Sequence, residues 1–254
     1  MVFISLYTEL LWRPLFNGLV FFYTILPGRD LGLAIVALTI AIRLILAPVL
    51  WKAQKAQHAL AGLQPEIKKI QERHKGDKEA HGRAVMALYA QRRVNPFSGC
   101  VLLLVQIPIL ITLFQVFRQG LSIDSLRFLY PFITHPGAIS TVGFFGVLDL
   151  AKGNIVLGAV AAATQFLQTR LTAPPPQPAE DSRAGDFTKA LQWQTTYIFP
   201  LLILVWSYSL PSALTLHWTM MNLFGIVEQI IIKLYGRRDD GKRGAPSGNG
   251  DGKK

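Results

Sequence analysis

The sequence predicts an all-α polytopic membrane protein with five transmembrane helices, an N-terminal interfacial helix and a cytoplasmic helical hairpin. Hydrophobic residues make up 51% of the 254 positions. They are gathered into runs close to the roughly 20 residues that a helix needs to cross a bilayer. The net charge of +11 falls in a few blocks between those runs. Because a bilayer offers no hydrogen bonds to the backbone, each run is predicted to be a helix.

The predicted spans cover residues 31–50, 97–117, 153–171, 195–210 and 211–235. The fourth is short and contains Pro200, and a tight turn at Pro211 joins it to the fifth. No internal repeat relates the runs, which disfavours an inverted-repeat transporter.

Residues 1–30 precede the first span. The run 1–26 is apolar, but Glu9, Arg13-Pro14 and Asn17 interrupt it. Such a mixture is typical of helices that lie in the membrane interface. We predict an outer interfacial helix, bent at Pro14, and then a short segment that leads into the first span. A sixth span is the alternative, and both options leave the remaining topology unchanged.

Positive charge predicts the orientation. Segment 51–96 and the tail 236–254 are rich in lysine and arginine, whereas the loop 118–152 has only Arg118, Arg127 and Lys152. Since cytoplasmic loops carry the excess of positive charge, segment 51–96 and the C-terminus are predicted to be cytoplasmic. The apolar loop 118–152 is then predicted to lie on the outer bilayer surface.

Segment 51–96 predicts two helices, about 52–73 and 78–93, with a turn at Gly76. Their apolar residues form a thin seam at helical spacing: Ala56, Leu60, Leu63, Ile67, Ile70, Ala84 and Leu88. A thin seam predicts a mobile hairpin, because few buried contacts give low local stability. Pro65 marks a point where the first helix can break or restart. The proline-rich segment 172–194 predicts a flexible cytoplasmic loop, and 236–254 a disordered basic tail.

Arg43 is the most informative residue, because it lies inside the apolar run 31–50. A guanidinium at such depth costs about 2.5–3.5 kcal/mol on insertion scales. It cannot avoid that cost by losing its proton, so it requires a partner or water. Arg43 lies eight residues before Trp51, which is roughly 12 Å along a helix. A cavity around Arg43 is therefore expected to open to the cytoplasm.

Other polar residues in the spans extend this hydrophilic surface: Thr39, Gln106, Gln165, Gln168, Trp218 and Asn222. Taken singly, such groups tie helices together with roughly 0.6 kcal/mol each. Taken with Arg43, they predict a groove. Glu228 lies at a similar depth and is a candidate charge partner of Arg43, although pairing with a lysine at the interface is an alternative.

The chain lacks the patterns of catalysis and cofactor binding. Its histidines have no metal-ligand spacing, and neither a phosphate-binding glycine loop nor a Ser–His–Asp or paired-carboxylate arrangement occurs in the spans. No enzyme activity, metal or cofactor is predicted. The single cysteine, Cys100, excludes an intramolecular disulfide. No cleavable signal or transit peptide is recognised, which argues against an organelle.

Several short motifs occur in a specific order. They are Leu15-Phe16-Asn17, Leu26-Pro27-Gly28, Ile42-Arg43-Leu44-Ile45-Leu46-Ala47-Pro48, Leu63-Gln64-Pro65-Glu66-Ile67, Leu88-Tyr89, Val94-Asn95-Pro96-Phe97, Gln106-Ile107-Pro108-Ile109, Leu148-Asp149-Leu150, Phe199-Pro200-Leu201, and Leu216-His217-Trp218 with Asn222. In this order and spacing the chain resembles the YidC-type membrane protein insertases from about Trp12 to Tyr235.

The resemblance implies a membrane protein insertase and chaperone, multi-pass in the bacterial cytoplasmic membrane. Its positively charged groove would open to cytoplasm and lipid and be closed outside. Arg43 matches the groove arginine, which attracts acidic residues in the translocated tail of a substrate. Implied partners are nascent membrane proteins, the lipid bilayer and, transiently, the ribosome and a targeting receptor, with the general translocon as a further candidate. No specific nucleic acid is implied.

The chain departs from the family pattern at three positions. Ala213 and His217 stand where glycine and tyrosine are usual, and Glu228 where an uncharged residue is usual. Neither the large outer domain nor the extra first span of Gram-negative members is expected. Two competing functions stay open at this point, an anion channel or transporter that uses Arg43 as its anion site and a structural assembly factor.

Overall fold

The computed structural model describes residues 2–95, 98–172, 190 and 193–243, and within them the chain is mostly helical. The helices are α1 Val2–Tyr7, α2 Arg13–Ile25, α3 Leu31–Gly62, α4 Gln64–Arg73, α5 Lys78–Gln91, α6 Ser98–Gln115, α7 Ile155–Thr172, α8 Phe199–Trp206 and α9 Ser212–Arg243. Three π-helical turns (Thr8–Trp12, Val116–Gly120, Gln194–Ile198) and two 3-10 turns (Pro27–Arg29, Ile123–Phe128) accompany them.

Two of the π-helical turns lie just before a proline. Thr8–Trp12 precedes Pro14, and Gln194–Ile198 precedes Pro200. A proline has no N–H and crowds the carbonyl of the residue four positions earlier, so the wider turn accommodates it without ending the helix. The helical path therefore continues from α1 into α2 and from residue 194 into α8.

The N-terminal helical stretch contacts the last turns of α6 and the loop that follows. The Tyr7 hydroxyl donates to Gln115 Oε1 at 3.0 Å. Asn17 Oδ1 accepts from the Tyr130 N–H at 2.7 Å, and the Tyr23 hydroxyl accepts from the Ser140 N–H at 3.1 Å. These partners suit the interfacial position predicted for residues 1–26, which stays a prediction.

α3 begins at the N-cap residue Asp30, whose carboxylate accepts from the Leu33 N–H at 3.0 Å. It extends well past the predicted end at residue 50. Among the described residues α3 is the one helix both long and apolar enough to cross a membrane by length and composition. Two shorter apolar helices, Leu104–Gln119 and Gln194–Trp206, accompany it. The five-span topology stays a prediction.

The bundle is a row of helices in the order α6, α3, α9, α7 and α8, with α2 packed against α3 and α6. Its main apolar core includes Leu31, Ile35, Leu113 and Leu216, at 0–4% exposure. We call the half of the bundle around these four residues the loop end, because the loop after α6 packs there. The opposite half, where α3 continues towards α4, is the hairpin end.

The hairpin is formed by α4 and α5. Leu63 separates α3 from α4, and Pro65 lies in the first turn of α4. Gly76 has φ of +91°, which suits the turn between the helices, and Asp77 caps α5. Leu63, Ile67 and Leu88 are its buried apolar residues. Ala56 and Leu60, which were predicted to belong to this seam, lie in α3 instead, and the mobility of the hairpin stays a prediction.

A small antiparallel β-hairpin in the loop 118–152 departs from the all-α prediction. Strands β1 Val142–Gly143 and β2 Leu148–Asp149 pair with Val142 opposite Asp149. The Asp30 carboxylate accepts from the N–H groups of Phe144, at 3.0 Å, and Phe145, at 2.6 Å. The side chain of Asp30, the N-cap residue of α3, thus holds the β-hairpin. Because each strand has only two residues, the sequence contains no alternating pattern that would predict it.

Two predicted boundaries differ from the structure, and one of them is the end of α3, which lies at Gly62 rather than at residue 50. α9 continues to Arg243, so the tail predicted to be disordered from residue 236 is helical over its first part. The remainder of that tail, the start of the span 97–117 and most of the loop 172–194 lie outside the described residues.

Candidate functional site

Arg43 lies between α3 and α9 at the hairpin end. Its Nη2 donates to the carbonyl oxygen of Met221 at 3.2 Å, and its guanidinium lies 5.8 Å from the ring centroid of Phe224. Its Nη1 is 3.7 Å from Glu228 Oε2, and the two side chains are 11% and 10% exposed. The candidate charge partner therefore lies beside Arg43, at a distance too long for a hydrogen bond.

Glu228 has its short hydrogen bond with a neutral group. Gln54 Nε2 donates to Glu228 Oε2 at 2.7 Å, and Gln54 Oε1 accepts from Gln229 Nε2 at 3.4 Å. Gln229 Oε1 in turn lies 2.8 Å from His58 Nε2, which must donate because an amide oxygen only accepts. A chain of polar groups thus runs from Arg43 to His58 along the α3–α9 contact.

Thr39 and His217 form a buried pair one turn from Arg43. Thr39 Oγ1 is 2.7 Å from the carbonyl oxygen of Ile35 and 2.7 Å from His217 Nδ1. The hydroxyl has one hydrogen, which goes to the carbonyl, so His217 Nδ1 must carry the proton and donate. His217 Nε2 is buried without a hydrogen-bond partner among the described residues.

Gln106 reaches the same part of α9 from α6. Its Nε2 lies 3.1 Å from Met221 Sδ, while the Met221 carbonyl accepts from Arg43. Gln106 and Arg43 therefore share Met221 as a neighbour, and both are only partly buried. The structure brings these two predicted residues together at the hairpin end.

Trp218 and Asn222 lie on the next stripe of α9 and face α7, which contributes Gln165 and Gln168. Trp218 Nε1 donates to Gln165 Oε1 at 3.1 Å. Asn222 Nδ2 lies 3.3 Å from both the Ala161 carbonyl oxygen and Thr164 Oγ1. Gln168 packs directly on the backbone of Gly225, where an added Cβ would clash with its amide.

The predicted site residues thus fall into two groups on adjacent faces of α9. Thr39, Arg43 and Gln106 approach from α3 and α6, whereas Gln165 and Gln168 approach from α7. Thr39 and Asn222 are each 2% exposed, so both have buried helix contacts. Gln106, Gln165, Gln168 and Trp218 remain partly exposed, as a surface in contact with water requires.

Sequence reasoning missed Gln54 and His58, which it assigned to the cytoplasmic hairpin. Both belong to α3, on the stripe that includes Arg43 and Leu50 at helical spacing. That spacing was the available signal. In the part of the chain that the structure describes, no group of three or more His, Cys, Asp or Glu residues could hold a metal ion.

Comparisons with known proteins agree on one family. A family model described as "60Kd inner membrane protein" matches residues 21–239. A "Membrane protein insertase YidC" of Fusobacterium nucleatum is 32% identical over 203 residues, which are 80% of this chain and 86% of the relative. The one of Clostridium acetobutylicum is 34% identical over 222 residues, 84% of this chain and 78% of the relative. The longer Pelagibacter ubique relative is 30% identical, and the match covers 38% of its length.

Proposed function

Because the chain belongs to the family of the 60Kd inner membrane protein and the YidC insertases, we propose that it inserts membrane proteins through a groove centred on Arg43. This is a family of membrane protein insertases and not of enzymes. Its relatives imply membrane protein clients, a lipid bilayer and a bacterial inner membrane. They give no support to an anion channel or transporter.

One observation carries the groove proposal. Arg43 is a cation inside the described helix that is long and apolar enough to cross a membrane, and its side chain is 11% exposed without a hydrogen bond to its nearest carboxylate. A guanidinium has five N–H donors, so donors remain for a carboxylate of a substrate. The groove surface includes Gln106 beside Arg43, and Gln165, Gln168 and Trp218 on the neighbouring face of α9. Thr39 and Asn222 support that surface from behind.

Magnitudes make the mechanism plausible. Moving an aspartate to the middle of a membrane helix costs roughly 2.5–3.5 kcal/mol on insertion scales. A carboxylate 4 Å from a cation gains about 4 kcal/mol at an effective dielectric constant near 20. The attraction to Arg43 alone, before the opposing charge of Glu228 is counted, is therefore of the size needed to offset the entry of one acidic residue. Water in the groove would shorten the apolar path for the rest of the tail.

The proposal includes the topology and the partners. Five spans would place the hairpin and the C-terminus in the cytoplasm, as the positive charges favour. The basic hairpin would contact anionic lipid, a targeting receptor or the ribosome, with an affinity that falls as salt rises. The general translocon is a further candidate partner.

Reconstitution tests the groove. Proteoliposomes would receive a single-span substrate with an acidic tail, and protease protection of the tail would measure insertion. Arg43→Ala should lower insertion about tenfold or more, the factor that 1.4 kcal/mol corresponds to. Arg43→Lys should retain much of the activity, because a tail offers carboxylates at varied positions and requires charge rather than a fixed fork. Insertion by Arg43→Ala at the wild-type rate would refute the proposal.

A matched control removes a different arginine. Arg118 lies exposed at the far end of α6, with its guanidinium 5.7 Å from the Phe114 ring centroid. Arg118→Ala changes the net charge by the same amount and should leave insertion unchanged. Equal losses in both variants would point to overall charge rather than to the groove.

A further inference from the structure

The carboxylate nearest to Arg43 is restrained by another residue. Glu228 Oε2 is 2.7 Å from Gln54 Nε2 but 3.7 Å from Arg43 Nη1. An ion pair that served only to join two helices would be expected to close to hydrogen-bond distance, about 2.7–2.9 Å for charged partners. Here the neutral amide has the short contact, and the guanidinium is left with a longer one.

Gln54 is itself fixed in orientation. Its Oε1 accepts from Gln229 Nε2 at 3.4 Å, and Gln229 is held by His58. With its oxygen directed at Gln229, the amide must present its N–H₂ to Glu228. The polar chain therefore fixes the carboxylate of Glu228 beside Arg43 at an ion-pair distance that is longer than a hydrogen bond.

We propose that Glu228 is a specificity-determining residue, a resident carboxylate that partly neutralises Arg43 and so favours substrates whose tails carry several acidic residues. This inference rests on the proposed function. Gln54 is the positioning residue, because it holds Glu228 back from the guanidinium and keeps N–H donors free for the substrate.

Coulomb's law gives the size of the effect. A substrate carboxylate about 3 Å from the guanidinium lies roughly twice as far from Glu228. Because the energy falls inversely with distance, repulsion by Glu228 removes roughly half of the attraction to Arg43. The net attraction of a tail with one acidic residue is then small. In a tail with several acidic residues, each one can bind Arg43 in succession as the tail moves through the groove.

Two substitutions should act in opposite directions. Glu228→Gln removes the resident charge and keeps an acceptor for Gln54, so weakly acidic tails should insert better. Gln54→Leu removes the restraint at similar volume, so Glu228 can move onto Arg43 and weakly acidic tails should insert less well. If the pair merely joined α3 to α9, both substitutions should lower stability and insertion together.

The experiment uses the full chain in proteoliposomes and one single-span substrate whose translocated tail has no, one or three aspartates. Glu228→Gln should raise insertion of the one-aspartate tail by about three- to tenfold and change the three-aspartate tail little. Gln54→Leu should lower the one-aspartate tail by a similar factor. Asp124→Asn, which removes an exposed charge in the loop after α6, is the matched control and should change no ratio.

The measurement that tests the inference is the ratio of insertion of the one-aspartate tail to insertion of the three-aspartate tail. An unchanged ratio in Glu228→Gln, while Arg43→Ala still loses insertion, would overturn this inference and leave the proposed function standing. If Arg43→Ala inserted all tails as the wild type does, the proposed function itself would fail. Should Glu228→Gln fold poorly, the one-aspartate tail in Gln54→Leu decides, and a ratio equal to that of the wild type would overturn the inference.

Discussion

The two ends of the bundle use the same helices but fill the space between them differently. At the loop end, α3 and α9 contribute Leu31, Ile35 and Leu216, all 4% exposed or less. At the hairpin end the same two helices contribute Arg43 and Glu228, which lie 3.7 Å apart, and a chain of amides continues from Glu228. Thr39 and His217 lie at the boundary.

This contrast separates stability from function along one pair of helices. Close-packed apolar side chains exclude water and resist any change in volume. Buried amides and charges contribute little net stability, because their desolvation offsets their attraction. Changes at the loop end should therefore lower the free energy of unfolding, whereas changes at the hairpin end that leave no buried charge unpaired should alter insertion at nearly constant stability.

The largest loss of stability is expected from Asp30→Ala at the loop end. The Asp30 carboxylate is 6% exposed and accepts from the N–H groups of Leu33, Phe144 and Phe145. Hydrogen bonds to a charged group contribute about 1.5–3 kcal/mol each, so the loss of all three should be at least about 4.5 kcal/mol. Thermal unfolding in detergent would measure it. Asp124→Asn is the exposed control, and an equal effect there would contradict the assignment.

Acid should reproduce part of this loss. Burial raises the pKa of Asp30, but the backbone N–H donors outweigh burial and hold the pKa below its usual value of 3.8. A lowered pKa in the folded state means that the stabilisation is present above pH 3.8 and is lost as the pH falls through the lower folded value. A wild-type protein whose Tm did not fall more steeply than that of Asp30→Ala in this range would contradict the assignment.

A pair of substitutions on α6 tests the contrast directly. Leu113 is fully buried at the loop end, so Leu113→Ala should cost about 2–5 kcal/mol and leave insertion per folded molecule near that of the wild type. Gln106 lies two turns towards the hairpin end, and Gln106→Leu should keep the Tm but reduce insertion severalfold. If instead Gln106→Leu lowered the Tm and Leu113→Ala reduced protease protection of the substrate tail, the proposed difference between the two ends would be wrong.

The apolar runs and the isolated arginine were readable from the sequence because they depend on local composition. The contact of Arg43 with Glu228 was left open, since equal depth does not fix the rotation of two helices about their axes. Gln54 was missed because α3 was ended at residue 50, although nothing in the chain breaks the helix before Gly62. Because segment 51–96 is rich in charged residues, it was assigned to the cytoplasm, and the stripe of α3 that faces α9 was not recognised.

Asp30 was missed for a different reason. Its partners are backbone N–H groups from a loop more than a hundred residues later in the chain. A backbone N–H group is present in almost every residue, so the sequence does not show which ones bind Asp30. The available signal was the position of Asp30 before an apolar run, which is typical of an N-cap. The β-hairpin that Asp30 holds was unpredictable for the same reason.

A smaller effect is expected at the boundary, from Thr39→Val. Valine keeps the shape of threonine but removes the acceptor of His217 Nδ1–H, so a buried donor is left unsatisfied. The cost should be about 1–3 kcal/mol. Unfolding of Thr39→Val and Thr39→Ser would be compared, since serine restores the hydroxyl. Equal stability of all three proteins would show that the pair contributes nothing.

The smallest effects should come from the hairpin, which differs from both ends of the bundle in having little that is buried. An ion pair between Arg92 and Glu66 at 2.7 Å links the two helices, with side chains 52% and 39% exposed. Exposed pairs contribute about 0–1 kcal/mol, so Glu66→Gln should change protection from hydrogen exchange in α4 and α5 only slightly.

Ile67→Ala, in the buried seam, should lower that protection more, because it removes one of the three buried contacts. Neither should alter exchange in α3 or α9, since the hairpin opens as a separate unit. If Glu66→Gln had the larger effect, and added salt weakened the wild-type hairpin to the same degree, charge rather than the seam would hold α4 against α5.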